Sequence, residues 1–233
     1  MKLNNSVLHE ILNQKGILHF YHANTVATSI TFIEQGGLLA RGDVERENLI
    51  QTIQVSDDDD KLFDVWDDVF IDIVDLHGFF PRQNLYGPIL FKFNIDLLLD
   101  DNLNIYVTKN NPIYWNLQLS EEEKYFQDAD ELEKNWDNYP LQQKMFTIRK
   151  PGNPVLFDYL EEIIVDDPQV IIYENINLYQ EALNALKKTT EHIPELQKKI
   201  KTRVCSNCYC QSNYFKQIPH SDLRRLFLPF QHP

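Results

Sequence analysis

Two adjacent glutamates, Glu161 and Glu162, stand inside the apolar run VLFDYLEEIIV at residues 155–165. A carboxylate buried there without a partner costs roughly several kcal/mol, or else takes up a proton. At a strand's period of two, Asp158, Leu160 and Glu162 share one face, while Tyr159, Glu161 and Ile163 share the other. One glutamate therefore points toward the covered side or into a cleft, unless the strand lies at an edge with both acids in water. A carboxylate in a cleft is what glycosyl-transfer chemistry uses against developing positive charge at an anomeric carbon. His22 is a second candidate. It ends a strand-like run and precedes a helix start, where polar ligands bind, although a single histidine is often structural.

Metal-binding chemistry has two candidate places. The segment VCSNCYC holds all three cysteines, Cys205, Cys208 and Cys210, in C-x2-C-x-C spacing, with His220 ten residues beyond. Three sulfurs and one imidazole suit tetrahedral zinc, but the second half of a zinc motif is missing, and reduced, partly buried thiols are the other reading. Asp75 and His77, two apart in an acidic strand-like run, would share a face and could ligate a metal, without an evident third ligand.

The elements that must position these groups follow from periodicity. Val7, Leu8, Ile11 and Leu12 have helical spacing, and residues 17–21 read as a short strand. Asn24 or Thr25 can cap the next helix, with apolar Val26, Ile30 and Ile33, which Gly36 and Gly37 terminate. Residues 40–60 read as a long loop, 61–77 as a half-buried acidic strand, 78–84 as a turn-rich link and 89–93 as a buried strand. Residues 119–147 read as acidic and helical, 177–188 as an amphipathic helix and 194–201 as a basic helix. The fold class is α+β.

The chain has 233 residues, 43% hydrophobic and 24% charged, an ordinary globular composition. No apolar run is long enough to span a membrane, and the N-terminus is too polar for a signal peptide, so a cytoplasmic protein is expected. The net charge is −13, yet residues 187–233 hold nine Lys or Arg against three acids. Any polyanion contact would be local, at the C-terminal segment, whose Tyr209, Tyr214 and Phe215 lie among basic residues; a solubilising acidic surface, with those aromatics docking the tail over apolar surface, is the other reading.

The stretch Tyr21-His22, a helix, then Gly36-Gly37-Leu38-Leu39-Ala40-Arg41 resembles the opening of the DarT-like ADP-ribosyltransferases. Those begin with a Tyr-His pair, an apolar helix and a Gly-Gly-Leu-Leu turn. HFYH also resembles the family's histidine-x-x-histidine opening, which would put His19 in the role; the glycine spacing favours His22. Tyr106-Val-Thr108 is similar to the family's strand ending in a threonine turn. Glu161-Glu162-Ile-Ile-Val165 is similar to the strand bearing its catalytic glutamate, in a register that selects Glu162. The family's Tyr-Val-Pro-Phe-Tyr-Phe strand is replaced here by the more acidic residues 68–75.

The resemblance implies an ADP-ribosyltransferase-like split mixed sheet with peripheral helices, residues 1–175 forming the catalytic domain and 176–233 a basic extension packed on it. It implies NAD+ as co-substrate, Glu162 as the catalytic carboxylate and Arg41 or Arg46 on the diphosphate. Tyr21, His22, Asn24 and Tyr86 would line the cofactor site. Transfer of ADP-ribose to a nucleic acid base, in a toxin or antiphage effector with an antitoxin partner, would follow. A protein-modifying enzyme, an NAD+ glycohydrolase and a non-catalytic, zinc-tailed binding module are the alternatives.

Overall fold

In a computed structural model, which describes residues 2–77, 85–206 and 208–229, two sheets meet edge to edge. The first has the order β1 (His19–Asn24), β3 (Ile89–Asn94), β6 (Leu160–Asp167), β7 (Ile200–Val204); β7 runs parallel to β6 and the other pairs are antiparallel. The second is antiparallel, with β2 (Val69–Ile71), β5 (Phe146–Ile148) and β4 (Ile105–Val107). One bridge joins β1 to the end of β2: Tyr21 and Asp72 exchange backbone hydrogen bonds at 2.8 Å each way.

The buried face of the first sheet is aromatic. Phe20, Phe91 and Phe93 are fully buried, each worth about 2–3 kcal/mol of burial. Phe157 stacks on Phe91 at 5.5 Å. Helix α1 (Asn5–Gln14) precedes β1, and α2 (Val26–Gln35) packs Phe32 against Phe91. Of the two expected caps, Asn24 and Thr25, it is Thr25 that caps α2, accepting from the Thr28 amide. Helix α3 (Leu178–Thr189) packs on α2 and β6, and α4 (His220–Phe227) on α3 and α2.

The two glycines after α2 do different work. Gly36 has φ +73° and ends the helix in the left-handed region. Gly37 opens a two-residue ribbon, Gly37–Leu38 against Val155–Leu156, in which an added Cβ would lie 2.5 Å from the Val155 carbonyl oxygen.

Several expected elements differ. Residues 194–201 are a short helix, Pro194–Gln197, followed by β7. The alternation Ile200, Thr202, Val204 against Lys201 and Arg203 is a strand's period, which the lysines disguise. The C-terminal residues thereby supply a strand of the first sheet. Residues 61–77 are not one strand: a helix, Asp57–Leu62, begins with the acidic run, and only Val69–Ile71 is extended. The presumed loop at 40–60 opens with a helix, Arg41–Arg46. Residues 155–165 break at a 3-10 turn, Phe157–Tyr159, between the ribbon and β6. The expected link at 78–84 lies outside the described residues.

Gly36→Ala is expected to cost about 1–2 kcal/mol for its left-handed backbone, and Gly37→Ala about 3 kcal/mol for the clash with Val155, measured by urea denaturation. Burial also pushes the Asp72 carboxyl up to about 7. Between about pH 4 and 7 the folded chain holds a proton that the unfolded chain, with an ordinary aspartate, has already lost, so stability falls as pH rises through that range and levels off above it. Asp72→Asn keeps the backbone bridge and should reduce that fall by about 1–2 kcal/mol, read from denaturation midpoints across the range.

Candidate functional site

Residues paired across neighbouring strands share a face, so the register sorts the candidate residues. Tyr21, Lys92 and Glu162 form one row across β1, β3 and β6, with His19 paired to Asn94 on the same face. His22, Phe91 and Ile163 form the adjacent row on the opposite face. The first sheet therefore has an open polar face and a covered apolar one.

A bulge sets the two glutamates. Pairing runs from Ile89↔Val165 to Lys92↔Glu162, then skips to Phe93↔Leu160, which leaves Glu161 as the extra residue. Leu160 and Glu162, expected on one face, are thereby on opposite faces. The Glu161 carboxylate lies 3.0 Å from His19 Nε2, accepts from Asn94 Nδ2 at 3.0 Å and lies 3.6 Å from Lys92 Nζ. Lys92 Nζ also lies 3.3 Å from Glu162. Both glutamate side chains are 34% exposed, so these pairs add little stability, about 1 kcal/mol or less each; their effect is to fix geometry. Tyr21 lies beside them, its phenol pKa raised by burial and then by the Asp75 charge, so it remains a neutral hydrogen-bond donor.

His22 is built into the junction between the sheets. Its Nδ1 donates to the Phe70 carbonyl at 2.8 Å, which leaves Nε2 to accept from Asn24 Nδ2 at 3.3 Å. Burial lowers its pKa and the Arg41 charge pushes the same way, so the ring is neutral. It packs at 5.6 Å from the Phe32 ring. His22 and Glu162 thus emerge on opposite faces in adjacent rows, and it is His19 that stands with the glutamates.

The two arginines have different surroundings. Arg41 Nη2 donates to the Thr52 carbonyl at 3.0 Å and to Asp57 at 2.8 Å, and its guanidinium lies 5.1 Å from the Trp66 ring. Its Nε and Nη1 are buried without a hydrogen-bond partner. Arg46 is largely exposed and pairs with Asp43 and Asp67 at the surface. Thr25, Thr28 and Thr31 stitch residues 50–52 to α2: Thr25 and Thr52 hydroxyls meet at 2.7 Å, Thr28 accepts from the Thr52 amide at 2.9 Å, and Thr31 donates to the Ile50 carbonyl at 2.6 Å. Beside this wall opens a cleft of about 400 Å³ lined by Ala27, Gln51, Thr52, Ile53, Arg224 and Arg225. Tyr86 is exposed, close after the undescribed link.

Sequence reasoning missed Lys92 and Asn94, although ILFKFN places them two apart, on one face of a strand whose other positions are apolar. The histidine expected beside the cysteines lies elsewhere in the structure. His220 stands edge-on to the Tyr173 ring at 5.3 Å, whereas Cys205 and Cys208 lie beside His77. Asp75 turns to Arg203. The Cys210 side chain lies outside the described residues.

No protein-family model matches the chain, and no curated protein sequence matches it. Among solved structures it is similar to the DarT of Thermus sp. 2.9 in complex with ADP-ribosylated ssDNA, with a TM-score of 0.50 and 14% identity over 82% of this chain and 94% of that one. At this identity the likeness is one of fold. The chain has a mixed α+β fold of the DarT-like, ADP-ribosyltransferase-like kind.

Proposed function

We propose that this chain is an NAD+-dependent ADP-ribosyltransferase whose acceptor is a nucleic acid. The observation that carries the reading is the bulge in β6, which delivers two carboxylates to the open face of a DarT-like sheet beside Tyr21, His19 and Lys92. The similar Thermus protein is bound to ADP-ribosylated ssDNA, which makes single-stranded DNA the first acceptor to try. An antitoxin partner is part of the same proposal.

Breaking the bond between nicotinamide and ribose sends its electron pair to the leaving nicotinamide and leaves oxocarbenium character at the anomeric carbon. Glu162, held by Lys92 at 3.3 Å, has acceptor capacity for the ribose 2′-hydroxyl and stabilises that charge. As a base nitrogen bonds to the anomeric carbon, the same carboxylate takes the proton that nitrogen gives up. Glu161, tied to His19 and Asn94, keeps the bulge and hence the aim of Glu162. Beyond the Tyr21–Asp72 bridge β1 is an edge strand, so a dinucleotide lying across the split reaches both faces. Its diphosphate would meet the unpartnered Nε and Nη1 of Arg41, and neutral His22 would line the crossing.

The test incubates purified protein with labelled NAD+ and separate pools of single-stranded DNA, duplex DNA, RNA and protein. Label should appear on a nucleic-acid pool, with nicotinamide released. Label on protein alone, or nicotinamide release without label, moves the chain to another branch of the same chemistry; neither label nor nicotinamide sinks the enzyme reading. Glu162→Gln should lower transfer about 100-fold or more with an unchanged melting temperature. Glu161→Gln should retain measurable transfer, and the reverse ranking would assign the chemistry to Glu161. Arg41→Lys should raise KM for NAD+ more than it lowers kcat, whereas Arg46→Lys should leave both near the parent values.

A further inference from the structure

The polar face continues past the glutamates to a second constellation at the parallel edge of the sheet. Strand β7 pairs Arg203 with Asp166 of β6, and the Cys205 amide, just beyond it, donates to the Asp167 carbonyl at 2.8 Å. This brings Cys205 to a histidine 128 residues earlier: its Sγ lies 3.8 Å from His77 Nε2. One ligand atom from each of His77, Cys205 and Cys208 lies within 4.8 Å of the others. With zinc–sulfur bonds of about 2.3 Å and zinc–nitrogen bonds of about 2.0 Å, a tetrahedral site has ligand–ligand edges of roughly 3.5–3.8 Å. The described arrangement needs a contraction of about 1.3 Å at most to reach that.

The far side of the imidazole supplies an independent observation. His77 Nδ1 lies 2.5 Å from Asp166 Oδ2, and Asp166 Oδ1 accepts from Arg203 Nε at 2.7 Å. Arg203 also pairs with Asp75, whose Oδ1 accepts the His77 amide at 2.9 Å. The Asp166 side chain is 3% exposed and that of His77 10%. A buried carboxylate on Nδ1 fixes the tautomer and turns Nε2, as a base, toward the sulfurs, the arrangement found behind metal-bound histidines.

We propose that His77, Cys205 and Cys208 bind a zinc ion, with Asp166 as the carboxylate that orients His77. The soft donors select zinc over magnesium or calcium, which prefer oxygen. The ion would tie the segment leaving the sheet junction to the end of β7, clamping the first sheet across its width. Cys205, His77 and Asp166 also have the order of a nucleophilic triad. Cys205, however, is fully buried, and Cys208 offers a second sulfur that a triad does not use. The assignment is independent of the transferase reading.

The test uses the full chain, purified without chelators and with any affinity tag removed. Elemental analysis should find about one zinc per chain, and the cobalt-substituted protein should show thiolate-to-cobalt charge-transfer absorption. His77→Ala and the Cys205→Ser/Cys208→Ser pair should lose the metal, while His220→Ala retains it. Asp166→Asn leaves all three ligands and should weaken zinc binding about 10–100-fold in competition with a chromophoric chelator. Because cobalt absorption is read on the parent chain, it decides the matter even where a variant fails to fold. No stoichiometric zinc together with no cobalt–thiolate band, or zinc retained by the His77 variant and lost from the His220 variant, would overturn the assignment.

Discussion

The carbonyl of Phe70 decides where the two sheets part. Tyr21 and Asp72 exchange both backbone hydrogen bonds, so a continued antiparallel ladder would next pair Ala23 with Phe70, two residues along each strand. The Nδ1–H of His22 takes that carbonyl instead. A side-chain donor in place of a backbone amide keeps the oxygen satisfied, which matters because a buried carbonyl left without a donor costs about 1–3 kcal/mol. It also holds β2 away from the second half of β1. The split is thus a substitution of one donor for another. It neutralises the imbalance that would otherwise zip the sheets together, and it fixes His22 as a neutral ring whose other nitrogen faces Asn24.

The bulge in β6 is the second departure from regular pairing, and it complements the first. Without it, Glu161 would point into the same side as the fully buried Phe91 and Phe93. The extra residue sends Glu161 to His19 and Asn94, and lets Leu160 fill the core position that an unbulged strand would give to a glutamate. The polar face then carries its charge in alternating signs, Glu161 and Glu162 about Lys92, then Asp75 and Asp166 about Arg203. An arrangement of that kind keeps a row of acids on one sheet face without mutual repulsion unfolding it.

What could be read from the chain was local, and what could not depended on partners far away in sequence. The strand at His19, the Thr25 cap, the glycine stop after Gln35 and the helix after Asn177 all follow from period, cap and turn chemistry within a dozen residues. The faces of Glu161 and Glu162 were misassigned because a period of two assumes unbroken pairing, and the bulge exists only in register with Lys92 and Phe93, about seventy residues away. The segment IKTRV was missed because Lys201, following Lys198 and Lys199, favours a basic helix until one knows that Asp166 lies opposite Arg203. The histidine beside the cysteines was likewise invisible: His220 is near them in the chain, but the parallel pairing of β7 with β6 carries Cys205 to His77.

A chain of net charge −13 would meet an obstacle in approaching the proposed polyanionic acceptor, and the distribution of its charge would confine that obstacle. At physiological salt the screening length is about 8 Å, so a phosphate feels the side chains it touches rather than the whole body. The acids that are most concentrated, Asp57 to Asp60, begin a helix whose first member is committed to Arg41, and Asp166 and Asp75 are committed to Arg203. The cleft beside Thr52, by contrast, is lined by Arg224 and Arg225, contributed by α4 from the basic end of the chain. Arg225 donates to the Ile53 carbonyl at 2.7 Å, and Arg41 donates to Thr52 one residue away, so the two arginines grip neighbouring carbonyls of a single strand of loop. The C-terminal segment therefore does two jobs that the first 175 residues cannot do alone: it completes the sheet on one side, and on the other it sets positive charge against the loop that holds Arg41 in place.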